Sequence, residues 1–217
     1  MILSVDTTSE FGSVALTEGD QIIEEVALHS PEGFGHVLFQ HLEQLLARHR
    51  ARIQDLDCLA AASGPGSFTG VRVGLAAVKG LAEAAGKRVV AISNLRALAF
   101  FGAAPLRAVV IDARRGEVYG AVYNDLLEPV VAESVLKFPA WLQTLPSGGF
   151  EFISTDFSLF QKQVDPSIPV ITAPRALAAV IGRIAWKEFA AGRACDPAAI
   201  DANYVRRSDA ELFWKDQ

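Results

Sequence analysis

The residues of this sequence best suited to chemistry lie in one loop and at two strand ends. Ser63-Gly64-Pro65-Gly66-Ser67-Phe68-Thr69-Gly70 joins the apolar run 59–62 to a helical pattern. Three glycines in seven residues allow close backbone approach, and N–H groups at a strand-to-helix loop attract anions. Gly64 and Gly66 are therefore candidate nucleotide or anion positions. The loop lacks the Gly-Lys-Ser/Thr ending of a phosphate-binding loop and the Gly-x-Gly-x-x-Gly spacing of a dinucleotide site. From the residues alone we favour a tight structural turn. Asp6 ends the run Ile2-Leu3-Ser4-Val5 and leads into Thr7-Thr8-Ser9, a tolerable phosphate loop. Asp6, Thr7 and Thr8 join the candidate nucleotide set. Asp112 ends Ala108-Val109-Val110-Ile111 in the same way but leads into Ala113-Arg114-Arg115-Gly116, where two long cations replace small residues.

Other chemistry is poorly supported. The four histidines, His29, His36, His41 and His49, fall in the first quarter of the chain. His36 and His41 are five apart, about 140° around a helix, so they cannot chelate one ion. His49 lies among Arg48, Arg50 and Arg52, where positive charge suits a helix C-terminus. Cys58 and Cys195 cannot make a disulfide framework, and no Cys/His spacing suggests zinc. Ser63 is in no nucleophile motif. We expect no catalytic residue, no metal, no cofactor and a reducing, cytoplasmic location.

The elements that must position these residues follow from pattern. Residues 2–28 read as strands with a hairpin at Gly19-Asp20. Residues 34–49 read as a helix, with Leu38, Leu42 and Leu45 at helical spacing. A strand at 59–62, a helix at 71–85 ended by Gly86, a strand at 89–92 and a short helix at 95–101 capped by Ser93 follow. Near Pro105 the pattern restarts: strands at 108–112, 117–123, 130–138 and 150–154, a short helix at Trp141-Leu142, and a helix at 176–191 ended by Gly192. The strand–Asp–turn–strand order of residues 108–123 echoes the start of the chain. We expect an α/β fold in two halves: residues 1–104, completed by 197–217, and a smaller half, 105–196.

The helix at 71–85 carries no charge from Val73 to Val78 and is apolar on two faces. Gly74 weakens a helix interior by about 1 kcal/mol relative to Ala, which suggests close approach of a second backbone. Val71, Gly74, Leu75, Ala77 and Val78, with Leu38, Leu42 and Leu45, are the candidate partner-interface residues. A mean hydropathy of +0.26 also suggests that another subunit covers apolar surface. Twenty basic against twenty-five acidic residues, net −5, argue against a free-standing nucleic-acid binder. The basic patches Arg48–Arg52 and Arg206-Arg207 would act on RNA only beside a partner. No signal peptide and no membrane span are expected.

Four segments carry a family resemblance: Ile2-Leu3-Ser4-Val5-Asp6-Thr7-Thr8, S-G-P-G-S-F-T-G-V-R-V-G (63–74), D-A-R-R-G-E-V-Y (112–119) and Tyr204-Val205-Arg206-Arg207-Ser208-Asp209-Ala210-Glu211. In order along the chain they resemble the bacterial TsaB (YeaZ) proteins of tRNA threonylcarbamoyladenosine biosynthesis. Residues 125–195 match only in general character. The resemblance implies two actin-like lobes of the ASKHA (sugar kinase–Hsp70–actin) type, the second smaller and degenerate. It implies a non-catalytic paralogue of TsaD, the subunit that modifies N6 of adenosine 37 in tRNAs reading ANN codons. It implies pairing with a TsaD-like catalytic subunit through N-terminal-lobe helices and a TsaE-like ATPase joining the pair. The same helix surface could pair with a second copy when the partner is absent, and the net charge of −5 leads us to expect only indirect contact with tRNA. TsaD-like proteins carry a metal-binding H-x-x-x-H; here Gln40 stands four residues after His36. Many TsaB-like proteins carry H-S-E at the first helix start, from which Gly35-His36-Val37-Leu38 departs. Gly148-Gly149 leads into a strand-like run, whereas the adenosine-binding Gly-Gly of the architecture opens a helix. The competing readings are an ATP-dependent small-molecule kinase of the same architecture and a peptidase of the glycoprotease type, for which no nucleophile or metal is present.

Overall fold

The computed structural model describes residues 1–205. β1 (Ile2–Asp6), β2 (Phe11–Glu18) and β3 (Gln21–His29) form an antiparallel meander, followed by α1 (Leu38–Arg48), β4 (Cys58–Ala62), α2 (Phe68–Ala85), β5 (Arg88–Ile92) and α3 (Asn94–Ala99). The first sheet runs β3-β2-β1-β4-β5, with β1, β4 and β5 parallel. Every residue of β1 and β4 is buried, as continuous apolar strands require when helices cover both faces. Leu3 and Val5 pack toward α1 and α2, while Ser4 between them faces the other side.

β6 (Leu106–Asp112), β7 (Glu117–Asn124), β8 (Pro129–Lys137), α4 (Phe138–Leu142), β9 (Phe150–Ser154) and β10 (Val170–Thr172) build a second sheet in the order β10-β9-β6-β7-β8. Its antiparallel and parallel pairs repeat those of the first sheet position for position. The echo in the sequence is thus a duplicated topology. Phe138, Trp141, Phe152, Phe157 and Phe160 form its aromatic core. β10 has only three residues, none of them fully buried, and carries no pattern that a sequence reading could have caught.

The division of the chain differs from the expected one. One unit comprises Met1–Ala97 with Pro174–Ala202; the other comprises Leu98–Ala173, joined among the described residues by 203–205. The helix assigned to the second half, α5 (Ala178–Ala190), belongs to the first. Its small face, Ala178, Ala179 and Gly182, packs on β1 and β2, and the Ser4 hydroxyl donates to the Ala178 carbonyl at 2.7 Å. Its first turn is capped from the sheet: Ser13 Oγ accepts from the N–H groups of Leu177 and Ala178, and Glu25 Oε1 from that of Ala179. Leu177 at its N-cap offers no side-chain bond of its own, so no local signal tied this helix to the first sheet. Of the expected closing segment, residues 206–217 lie outside the described residues.

Candidate functional site

The glycine loop is filled by the chain itself. α2 begins at Phe68, three residues earlier than its apolar pattern suggested, because Ser67 caps it: Ser67 Oγ accepts from Gly70 N–H at 3.3 Å. Residues 64–67 then run against Thr7-Thr8. Ser67 N–H donates to the Thr8 carbonyl at 2.6 Å, and Thr7 Oγ1 donates to the Gly70 carbonyl at 2.7 Å. A Cβ on Gly66 would lie 2.5 Å from Thr8 O, and one on Gly70 would lie 2.0 Å from Thr7 O. The glycines are there so that two backbones can touch. The N–H groups of Gly64, Ser67, Gly70 and Val71 all have acceptors within the protein. This geometry fits the tight-turn reading, and it commits the Gly64 N–H to Asn94.

Asp6 lies beneath this contact, 2% exposed. Its Oδ1 accepts from the Thr8 N–H at 2.9 Å and from the Thr8 hydroxyl at 2.7 Å. Asn94, which sequence reasoning passed over, completes the network. Its Nδ2 donates to Thr8 Oγ1 at 2.8 Å and reaches toward Asp6 Oδ2 at 3.5 Å, while its Oδ1 accepts from Gly64 N–H. Nothing about an asparagine one residue after Ser93 announces this role; only the fold brings it to Asp6. Thr7 and Thr8 are likewise buried, with their polar atoms turned inward.

Burial raises the Asp6 carboxyl above the usual carboxylate range; the Thr8 and Asn94 hydrogen bonds oppose this, and Glu25 adds to it. The sign follows from linkage. With the folded pKa raised, the folded state holds the proton more tightly than the unfolded chain. The resulting stabilisation is present below the unfolded value, about 3.9, and is lost as pH rises through the folded value. Asp6→Asn, which keeps an acceptor for Thr8 N–H and never ionises, should equal the parent protein near pH 4 and exceed it at pH 8. Urea midpoints at the two pH values check this; a difference that does not grow with pH would mean that Asp6 is ionised without penalty.

The second strand end repeats the local geometry with different residues. Asp112 Oδ1 accepts from Arg114 N–H at 2.8 Å, as Asp6 accepts from Thr8, so the same aspartate turn follows β6. Arg114, Arg115 and Gly116 have φ of +67°, +55° and +72°. The left-handed region costs a non-glycine residue about 1–2 kcal/mol. Two successive arginines held there are a costly way to turn a corner.

His29, His36 and His41 lie around one pocket. They line a cavity of about 490 Å³ with Ser30, Glu32 and Phe34. Among the described residues, however, no group of three His, Cys, Asp or Glu side chains is placed to hold a metal ion. His29 stacks on Phe11 at 4.6 Å, and the Arg175 guanidinium lies over the same ring at 4.3 Å. The basic run at 48–52 is largely neutralised: Arg48 and His49 both bind Glu24, and Arg52 binds Asp55. Arg206-Arg207 lie outside the described residues. Burial drives the Cys58 thiol up to about 12, which makes it a poor nucleophile. No helix among the described residues is long and apolar enough to cross a membrane.

The expected interface residues point the wrong way. Leu38, Leu42 and Leu45 on α1, and Val71, Gly74, Leu75, Ala77 and Val78 on α2, are all buried within the unit's own core. A Cβ on Gly74 would sit 2.6 Å from Thr7 Oγ1, so this glycine admits the Thr7 side chain of its own unit and not the second backbone that the sequence suggested. The outward faces carry other residues: Phe39, 57% exposed, with Gln40 and Glu43 on α1; Phe68, Arg72, Ala76 and Gly80 on α2. Arg72 stacks over Phe68 at 3.6 Å. Apolar spacing identified both helices but could not say which of two apolar faces the sheet would take.

Comparison with known proteins places this architecture. The family model described as TsaD, tRNA N6-adenosine threonylcarbamoyltransferase, matches residues 33–175. The tRNA threonylcarbamoyladenosine biosynthesis protein TsaB of Bacillus subtilis (strain 168) is 32% identical over 171 residues, 76% of this chain and 75% of that protein. TsaB of Escherichia coli (strain K12) is 35% identical over 145 residues, 63% of this chain and 62% of that protein. The solved structure of YeaZ from Pseudomonas aeruginosa superposes with a TM-score of 0.81 at 25% identity, over 94% of this chain and 98% of that one. With its duplicated α/β topology and glycine loop closed on the first strand end, the chain belongs to the TsaB (YeaZ) family.

Proposed function

We propose that this chain serves tRNA threonylcarbamoyladenosine biosynthesis as a non-catalytic subunit of two-lobed, actin-like ASKHA architecture that pairs with a TsaD-like catalytic subunit. The family supports the pathway. The observation that supports the non-catalytic role is the backbone contact between Thr7-Thr8 and residues 66–70, which turns the candidate phosphate loop after Asp6 onto the chain itself. A TsaE-like ATPase would join the pair, tRNA would be reached mainly through the partner, and a second copy would cover the same face when the partner is absent.

The pairing face in this reading is the outward side of α1 and α2. Ala76 and Gly80, one turn apart, leave room for a closely packed partner helix, and the exposed Phe68 at the start of the same helix and Phe39 on α1 offer apolar contact. Ala76→Glu puts a carboxylate in the middle of that face and touches nothing internal. We expect it to stay folded and to weaken association with the TsaD-like partner at least tenfold, whereas Gly74→Glu should fail to fold. Size exclusion with light scattering reads both. Unchanged pairing by a folded Ala76→Glu protein would rule out this face. Steady-state ATP turnover by the isolated chain, abolished by Asp6→Ala, would rule out the non-catalytic role.

A further inference from the structure

We draw no further inference here: the strongest candidate, the cavity between the end of β3 and the start of α1 that His29, Glu32, His36 and His41 line, brings no three metal-ligating side chains together among the described residues, and nothing in the structure shows what ligand would fill it.

Discussion

Gly70→Ala should unfold the first unit or bring it close to unfolding. The added methyl would sit 2.0 Å from the Thr7 carbonyl oxygen and 3.1 Å from its carbon, both backbone atoms of the segment that leaves β1. Neither side can move cheaply. Thr7 continues a strand paired on both edges, and Gly70 lies in the first turn of α2, fixed by the Ser67 cap and by the Thr7 hydroxyl on its carbonyl. Overpacking in a well-packed core costs about 1–3 kcal/mol, and a backbone obstacle puts this site at or above the top of that range. That is a large share of a domain's total stability of about 5–15 kcal/mol. Gly80→Ala is the internal control. It is the same chemical change in the same helix, but among the described residues no atom outside the helix lies within 4 Å of the new methyl, so the ordinary helix preference should act and stabilise by up to about 1 kcal/mol. Urea unfolding of the two variants should therefore move the midpoint in opposite directions. If Gly70→Ala unfolds at the parent's midpoint, the loop has room to spare, and an anion site at Gly64–Gly70 regains its case; an ATP-dependent shift of the parent's midpoint would strengthen it.

The contrast between these two glycines shows what the sequence could and could not say. Glycine frequency marked the loop as a place of close approach, but the approaching object was a phosphate or a backbone, and only the position of Thr7-Thr8 decides between them. Periodicity had the same limit on the helices. Leu38, Leu42 and Leu45 fall on one stripe, and a stripe that covers a sheet has the spacing of one that covers a partner. The strands were legible because each is a short apolar run bounded by turn residues. The duplicated order was faintly legible because both aspartate turns end such runs. The division into units was not, because α5 follows the second sheet in the chain and returns to the first through contacts made by Ser4, Ser13 and Glu25, residues that read as ordinary strand polar positions. Asn94 shows the limit from the other side: a buried amide that joins Asp6, Thr8 and Gly64 carries no mark in one dimension.

In the second unit the corresponding test is Gly120→Ala. Gly120 lies in the middle of β7, where glycine ordinarily weakens a strand and signals close approach. The indole of Trp141, from α4, lies against it: a Cβ would be 2.3 Å from both Cε2 and Nε1. A flexible side chain could swing aside, but this one is fully buried, with Phe138 at 6.1 Å and Phe152 at 6.3 Å between ring centres. The ring cannot leave without opening the aromatic core, so we expect a loss of about 3 kcal/mol and a changed near-ultraviolet dichroism signal. The pair also predicts its own rescue. Trp141→Phe alone should destabilise by leaving a cavity, though less than its volume suggests, because the buried Nε1–H meets no acceptor among the described residues and its removal relieves that penalty. With phenylalanine in place, the methyl added at position 120 enters space the larger ring had filled. The double variant should therefore be more stable than the sum of the single effects by about 1–3 kcal/mol, the coupling expected of side chains in direct contact. Urea midpoints for the four proteins complete the cycle. Strictly additive losses would mean that the two residues act independently and that the indole does not hold β7 and α4 together.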